Sequence, residues 1–242
     1  MKNLLTVTGA VLLFSIGMCA QTSTTQPREN RMRKPILSLA ILLGMASAGQ
    51  AQETCIEQLK FPEVGRWAEY KAIYNQKDPY TIRYAVVGGE RREGKDLKWL
   101  ELRMVPEKKD GTIIYQMLVP GSAAEVGDVQ EIIMKSGARP AMKMDGMMVK
   151  MIRGQMDKQS FLKDVCKDVT LVGRERVVVP AGSFQARHFR SEKYSSESWL
   201  ADRIPFAMVK AVGKNYEMAL IRSGGGAKSS ITEVPQSMGA KR

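Results

Sequence analysis

His188 is the single histidine of this chain, so a serine–histidine or cysteine–histidine catalytic pair would have to use it. The sequence contains no nucleophile-elbow motif of the Gly-x-Ser-x-Gly kind that could supply a partner serine. A zinc site needs three or four ligands, and one histidine with two cysteines that are expected to pair does not supply them. We therefore expect His188 to be a half-exposed strand residue, and we expect neither catalysis nor a metal site.

Methionine is concentrated in the middle of the chain, and its thioether is a soft ligand that can hold Cu(I) in exported proteins. The cluster consists of Met142, Met144, Met147, Met148, Met151 and Met156. Three interpretations stay open. The cluster could be ordinary packing, or a deformable wall for an acyl chain, because methionine fills irregular apolar pockets well. The third interpretation is Cu(I) binding, although no histidine or cysteine lies close in sequence to complete a site.

The segment from Gly224 to Ser230 has some similarity to a phosphate-binding loop. That motif needs a glycine directly before its lysine, whereas Ala227 precedes Lys228 here, and the residues that follow have no helical pattern. We therefore reject a phosphate loop. Carboxylates are scattered over predicted strands with nothing to pair them for acid–base work, as at Glu101, Glu197 and Glu217.

Two apolar segments near the start of the chain have features of export signals. The first runs from Leu4 to Met18 and ends at Cys19 in a lipobox-like sequence, so lipidation of Cys19 is an open alternative. In the second, a basic stretch from Arg31 precedes an apolar run, and small residues around Ala51 suit signal-peptidase cleavage. Both runs are too short to cross the roughly 30 Å of a bilayer core comfortably.

We therefore expect residues 1–51 to be a leader, with its second signal-like segment at 31–51 and cleavage near Ala51, and with Met1 or Met32 as the true start. Residues 52–242 are long enough for one domain with a full core, which we place in the periplasm or outside the cell. Cys55 and Cys166 would both survive cleavage. An even cysteine count in an oxidising compartment predicts a disulfide, and two free buried thiols are the alternative.

The chain is basic, with 37 lysines and arginines against 25 acidic residues. The predicted leader holds five of the basic and one of the acidic residues, which leaves residues 52–242 with a net charge of +8. Export removes most of the reason to infer nucleic-acid binding. The charges are interleaved, so a solvated face is the simplest interpretation, and attraction to anionic lipid head groups is the alternative.

Short stretches with a period of two, separated by glycine-containing turns, predict an antiparallel sheet. In Trp67–Tyr74, for example, Ala68, Tyr70 and Ala72 alternate with charged residues. We predict further strands at Tyr80–Val87, Leu97–Val105, Thr112–Val119, Val129–Met134, Leu171–Val179, Phe184–Arg190, Ser198–Leu200 and Tyr216–Ile221. We also predict turns at Gly88–Gly94 and Pro180–Ser183 and a short helix at Gln159–Lys167.

Large apolar side chains recur across these strands, and in a curved sheet they would line one concave face. These candidates for an apolar lining are Trp67, Tyr70, Tyr84, Trp99, Leu100, Phe184, Trp199 and Phe206, with Met144, Met147, Met148 and Met151 as a movable wall. The fold class we predict is mainly β, of the α+β kind: a curved antiparallel sheet that forms an incomplete β-barrel, with one or two short helices.

One stretch resembles families of uncharacterised exported bacterial proteins. It contains Val179 to Ala186 (Val-Pro-Ala-Gly-Ser-Phe-Gln-Ala), then Trp199-Leu200, Ile204-Pro205 and Met218 to Leu220. The architecture of those families is thought to be similar to that of the outer-membrane lipoprotein carriers, an incomplete β-barrel closed on one side by helices. The resemblance covers about 45 residues of this sequence and implies a fold. No binding residue can be transferred from the carriers by position.

The sequence thus predicts an exported protein without catalysis or cofactor that binds or carries a lipid or a lipoprotein acyl chain on its concave face. One alternative is a structural or interaction protein of the cell envelope that has no ligand. Periplasmic Cu(I) binding through Met144, Met147, Met148 and Met151 is the other. The expected partners are a lipid or lipoprotein, an envelope protein, or a membrane surface touched peripherally, and not a nucleic acid.

Overall fold

The computed structural model describes residues 51, 54–55, 57, 59, 61–75, 79–108, 111–121, 128–158, 166 and 168–237. Residues 1–50 of the predicted leader lie outside the described residues, as does the predicted helix Gln159–Lys167 except for Cys166. The division of the chain into a leader and one domain therefore stays a prediction.

The described residues form twelve strands and one full helix, in agreement with the predicted mainly β fold class. The strands up to the helix are β1 (Trp67–Tyr74), β2 (Tyr80–Arg92), β3 (Lys95–Pro106), β4 (Ile113–Pro120), β5 (Glu131–Ser136) and β6 (Met142–Lys143). The helix is α1 (Gly146–Lys158). The remaining strands are β7 (Thr170–Val179), β8 (Gly182–Ser191), β9 (Ser196–Leu200), β10 (Met208–Gly213), β11 (Tyr216–Gly224) and β12 (Gln236–Ser237).

All of these strands belong to one sheet in the order β12-β6-β5-β4-β3-β2-β1-β11-β10-β9-β8-β7. Neighbouring strands run antiparallel, except for the parallel pair β12 and β6. The sheet is curved but open, because β7 and β12 end it without pairing with each other. The curvature brings the β7–β8 turn back over the sheet, where Ala181 N donates to Leu220 O of β11 at 3.1 Å.

The main hydrophobic core lies on the inner side of this curve, here called the core face. Alternation in β1 directs Ala68, Tyr70 and Ala72 into it, all at most 4% exposed. Leu59 and Phe61 cover part of this face from the N-terminal side. Each fully buried large apolar side chain contributes about 1.5–3 kcal/mol to stability, so this cluster is the main stabilising term of the fold.

The predicted disulfide is present. Cys55 and Cys166 are bonded, with Cα atoms 5.5 Å apart, and neither residue is exposed to solvent. The bond ties the start of the domain to the segment that leads into β7 across a sequence separation of 111 residues.

Helix α1 occupies the methionine-rich segment, for which the sequence pattern predicted no secondary structure. Its start is capped by Asp145, whose Oδ1 accepts a hydrogen bond from Met148 N at 2.9 Å, and this satisfies one otherwise free backbone donor. Val149 is buried against the core, and Met148 and Ile152 are half-buried beside it. In the described part of the chain, no helix combines the length and apolar character that a membrane crossing requires.

The opposite side of the sheet, here called the outer face, carries a smaller core. Ile114, Ile133, Ala141 and Ile231 form it, with Trp99 packed against them. Ile231 belongs to residues 225–235, which cross this face after β11 and are called the strap below. Gln236 N donates to Ala141 O at 2.8 Å where the strap joins the sheet as β12.

Several predicted boundaries were wrong. The predicted turn at Gly88–Gly94 is mostly strand, because β2 runs on to Arg92 through an irregularity between Val86 and Gly88. The actual turn is Glu93-Gly94, both at positive φ, which suits a two-residue hairpin loop. Likewise the turn after β7 consists of Pro180 and Ala181 alone, since Val179 pairs with Gly182. Strands β6, β10 and β12 were not predicted.

Glu131 at the start of β5 links three parts of the sheet. It accepts from Lys143 of β6 at 2.8 Å and from Arg92 of β2 at 3.0 Å. Burial alone would raise the pKa of this carboxyl, but the hydrogen bonds from Lys143 and Arg92 outweigh burial and hold it below the usual range. A carboxyl with a lowered pKa stabilises the folded state above the ordinary glutamate pKa, and this contribution is lost as the pH falls through the lower folded value.

We therefore expect the free energy of unfolding to fall as the pH drops from about 5 into the acid range, with Glu131 contributing to that slope. Urea unfolding followed by circular dichroism across this range measures it. Glu131→Gln should be less stable near neutral pH and should have a shallower acid slope. An unchanged slope in the variant would show that Glu131 is not among the titrating groups.

Candidate functional site

The structure places His188 in a packed network on β8. Its Nδ1 lies 3.2 Å from Glu175 Oε1 and its Nε2 lies 3.0 Å from Glu197 Oε2, so the two carboxylates stand on opposite sides of the ring. The prediction of a half-exposed histidine was wrong, because the imidazole is buried and stacks on the indole of Trp199, with ring centroids 4.5 Å apart. This network holds His188 in place, and two carboxylates on opposite sides of a ring cannot converge on one metal ion. Among the described residues, no group of three or more potential ligands is placed to hold a metal.

The four methionines proposed as a movable wall do not face one way. Met144 is buried beside the core and Met148 is half-buried, whereas Met147 is 81% exposed and Met151 is 55% exposed. Met147 and Met151 are four residues apart on α1, so they share its solvent side. A site that used all four thioethers would need atoms from the buried core and from the solvent side of α1.

Three of the predicted aromatic residues lie together on the core face. The ring of Tyr84 contacts that of Tyr70 at 6.0 Å between centroids and that of Phe206 at 5.8 Å. Phe61, which the sequence analysis did not single out, contacts Phe206 edge-on at 6.1 Å. The Tyr70 hydroxyl donates to Met208 O at 3.1 Å. Burial raises the pKa of both tyrosines, so these phenols stay neutral at physiological pH and serve as packing groups.

The other predicted lining residues are distributed over both sides of the sheet. Leu100 is 2% exposed and belongs to the main core, where Phe184 and Trp199 also pack at its margin. Trp99 packs against the smaller core, as expected for neighbours of opposite orientation in a strand. Trp67 lies between two arginines on the outer face. The twelve predicted lining residues therefore do not form one surface.

A partly exposed apolar surface is present on the core face. Most of the residues that form it are not among the twelve predicted lining residues. Strand register aligns five residues across five neighbouring strands: Tyr84 pairs with Leu102, Leu102 with Tyr115, Tyr115 with Met134, and Met134 with Met142. All five are half-buried. They are called the apolar row below. Tyr84 and Met142 belonged to sequence-predicted groups, whereas Tyr115 and Met134 were recognised only as parts of strands.

The row lies between a closed and an open part of the same face. The neighbouring register row, Val86, Leu100, Met117 and Ile132, is at most 9% exposed. On the other side lie Ile82, which is buried, and the half-buried Met104 and Ile113. The core face is thus buried at the row of Val86 and partly exposed at the apolar row and at Met104 and Ile113. The side chains of the partly exposed region are aliphatic, aromatic and thioether groups.

Three cavities that are lined by described residues lie away from the apolar row. One of about 640 Å³ surrounds the β10–β11 turn beside Ile73. A second, of about 400 Å³, lies between Phe61 and Phe206, and a third, of about 390 Å³, lies between Arg190 and Lys214. Phe206 is the one sequence-predicted lining residue that contributes to any of these three cavities. The apolar row lines none of these three cavities.

The segment that resembled a phosphate loop has a structural role in the strap. Glu101 is 1% exposed, and its carboxylate accepts from Ser230 N at 2.8 Å, from Ser230 Oγ at 2.7 Å and from Gln116 at 2.8 Å. Ser229 also contacts Gln116. A buried carboxylate at this point disfavours a bound phosphate, in agreement with the rejection of that motif.

Comparison with known proteins yields few relationships. No family model matches the chain, and no curated protein does either. A solved protein from Bacteroides fragilis, described as exported and as having a YmcC-like fold, shares 13% identity over 69% of this chain and 99% of its own, with a TM-score of 0.39. A protein from Parabacteroides distasonis, described as a lipoprotein, shares 10% identity over 68% and 97%, with a TM-score of 0.32. Neither description mentions a lipoprotein carrier, so that part of the resemblance stays a prediction.

Proposed function

We propose that this protein is an exported, non-catalytic protein that binds a lipid or lipoprotein acyl chain along the apolar row. The observation that carries the proposal is the register of Tyr84, Leu102, Tyr115, Met134 and Met142, which puts five half-buried apolar side chains in line across five strands. Covering such a strip with an acyl chain is favourable by about 25 cal/mol per Å² of apolar surface removed from water.

Helix α1 supplies one border for the acyl chain. Met148 and Ile152 are half-buried and pack against the same core as the row. Thioether side chains at Met134, Met142 and Met148 adapt their shape to a guest at low cost, because methionine has three rotatable bonds. The binding mechanism is burial alone, and it uses no bond-making group.

Introducing a charge into the row tests this function. Met134→Asp should weaken binding of the fluorescent fatty acid cis-parinaric acid by about tenfold or more, because a bound chain would bury the new carboxylate. Fluorescence titration of the probe measures the effect. Met147→Asp is the matched control, since the same change at a position that is 81% exposed should leave the affinity unchanged.

Probe binding by the unaltered protein separates this function from its rival, an envelope protein without a ligand. The aromatic contacts among Tyr70, Tyr84, Phe61 and Phe206 favour that rival, because they fill one end of the core face with protein. If the unaltered protein shows no saturable probe binding, the ligand-free function is the better account. Equal affinities of both variants and the parent would place any binding site away from Met134.

A further inference from the structure

The outer face carries a group of arginines, two of which form no ion pair within the described ranges. Arg83 of β2 and Arg103 of β3 are directly opposite each other in register and share this face. Like charges in opposed positions of neighbouring strands are destabilising. Within the described ranges neither guanidinium forms an ion pair, and the Nε of Arg83 is buried without a hydrogen-bond partner.

The acidic side chain opposite Arg83 in register is already engaged. Glu69 of β1 is opposite Arg83 in register, but its carboxylate accepts from Arg222 Nε at 2.7 Å. Its side chain is 8% exposed, whereas that of Arg222 is 67% exposed. The buried charge of Glu69 is therefore balanced by Arg222, and Arg83 and Arg103 remain as uncompensated positive charge beside it.

Trp67 lies at the centre of this group. The guanidinium carbon of Arg83 is 4.6 Å from its ring centroid, and that of Arg222 is 5.8 Å away, both within cation–π range. The indole Nε1 donates to Gly225 O at 3.1 Å. The ring also covers Gly224, where an added Cβ would lie 2.9 Å from Trp67 Cζ2, so a glycine is needed at that position.

Arg66 adds a fourth cation, with its terminal nitrogen 3.8 Å from the position that a Cβ on Gly225 would take. The arginine patch is defined here as Arg66, Arg83, Arg103 and Arg222 around Trp67. It contains four positive charges, and two buried carboxylates adjoin it on the outer face: Glu69, and Glu101 two residues before Arg103 on β3. None of the three cavities lined by described residues includes any of its members.

We propose that the arginine patch is a docking site for the phosphate groups of an anionic phospholipid surface. Guanidinium groups match phosphate oxygens in geometry and charge, and an anion beside Arg83 and Arg103 would compensate their repulsion. The patch spreads over neighbouring strands of the outer face, which suits a membrane surface better than a small free anion. A half-exposed indole among basic residues is also suited to the interface between water and lipid, where aromatic side chains are enriched.

This inference is independent of the acyl-chain function, because the patch and the apolar row lie on opposite faces of the sheet. The test uses vesicles of phosphatidylglycerol and phosphatidylcholine in equal parts, with binding of the purified protein measured by co-sedimentation. Arg83→Gln combined with Arg103→Gln should weaken vesicle binding about 30-fold, the factor expected for two basic residues close to an anionic surface. Met134→Asp should leave vesicle binding unchanged.

A second double variant controls for net charge. Arg139 in the β5–β6 turn and Lys150 on α1 are both exposed, and α1 packs on the other side of the sheet from the patch. Arg139→Gln with Lys150→Gln removes the same charge, and we expect a loss of about threefold or less, because salt screens charges far from the contact. Equal losses in the two double variants would overturn the proposal in favour of diffuse attraction. No loss in the patch variant would also overturn it.

Two further measurements distinguish a loss of vesicle docking from a loss of folding and from binding of a soluble anion. The patch variant should unfold in urea at a midpoint close to that of the parent, since it loses a like-charge pair and the Arg83–Trp67 cation–π contact but no ion pair. Calorimetric titration with inorganic phosphate distinguishes a membrane surface from a soluble ligand. Tight phosphate binding that the patch variant loses, without any vesicle binding by the parent, would overturn the assignment to a lipid surface.

Discussion

Replacing Cys55 and Cys166 together by alanine is expected to lower the free energy of unfolding by about 5 kcal/mol. The bond closes a loop with a sequence separation of 111 residues, and the chain-entropy model assigns a stabilisation of that size to a loop of about this length. Domains of this kind are stable by only about 5–15 kcal/mol, so the loss would be a large share of the total. Urea unfolding at neutral pH measures it.

Reduction of the unaltered protein is the matched control for the cysteine variant. Both cysteines are fully buried, so alanine retains an apolar side chain at each site and the change tests the cross-link more than the packing. The reduced protein and the double variant should therefore unfold at similar urea concentrations. A loss below about 1 kcal/mol in the double variant would contradict a stabilising role for the bond.

The second prediction with a large expected loss of stability concerns the strap. Glu101→Leu is expected to lower the free energy of unfolding by about 3 kcal/mol, because it leaves Gln116 and both donors of Ser230 without their common acceptor in a buried place. Residues 225–235 should then loosen from the outer face before the rest of the sheet unfolds. Backbone amide hydrogen exchange should therefore be faster in the strap than in β1 or β11 of the same variant.

A carboxylate on another strand provides the comparison for Glu101. The side chain of Glu217 on β11 is 55% exposed and lies 3.6 Å from Lys210. Glu217→Leu removes the same charge from an exposed pair, and such pairs contribute about 0–1 kcal/mol. Equal losses in the two variants, or strap amides that stay protected in Glu101→Leu, would show that the strap is held by Ile231 and its apolar neighbours instead.

Local patterns predicted the strands well because the evidence for each lies within a few residues. The alternation in Trp67–Tyr74 predicted β1 with its observed bounds. The pair Gly88-Gly89 was misleading, since two glycines suggest a turn, whereas here they continue β2 past an irregularity. The same alternation should have assigned Trp99 and Leu100 to opposite faces of the sheet, because consecutive strand residues point to opposite faces.

Helix α1 and the strap could not be predicted from local patterns. Met147 and Met151 place apolar side chains on the solvent side of the helix, and this obscures the period that would identify it. The partners of the strap are distant in sequence: Ser230 contacts Glu101, and Glu233 contacts Lys135. No periodicity within residues 225–235 encodes those contacts.

The candidate sites depend on register between strands, which a single sequence does not provide. Leu102 lies in the predicted strand Leu97–Val105, but its alignment with Tyr115 and Met134 follows only from the pairing of β3, β4 and β5. In the same way, the opposition of Arg83 and Arg103 becomes visible only when β2 and β3 are paired. Residue type suggested apolar and cationic surfaces, and the topology determines which residues form them.

Photochemical labelling with a diazirine-bearing fatty acid tests the acyl-chain function most directly. After irradiation of the protein with this probe, peptide mass spectrometry identifies the labelled residues. The account predicts labels concentrated on Leu102, Tyr115, Met134 and Met142 of the apolar row, and competition by an unlabelled fatty acid should remove them. Labels confined to the outer face around Trp67 or Trp99, or spread evenly without competition, would contradict binding of an acyl chain on the core face.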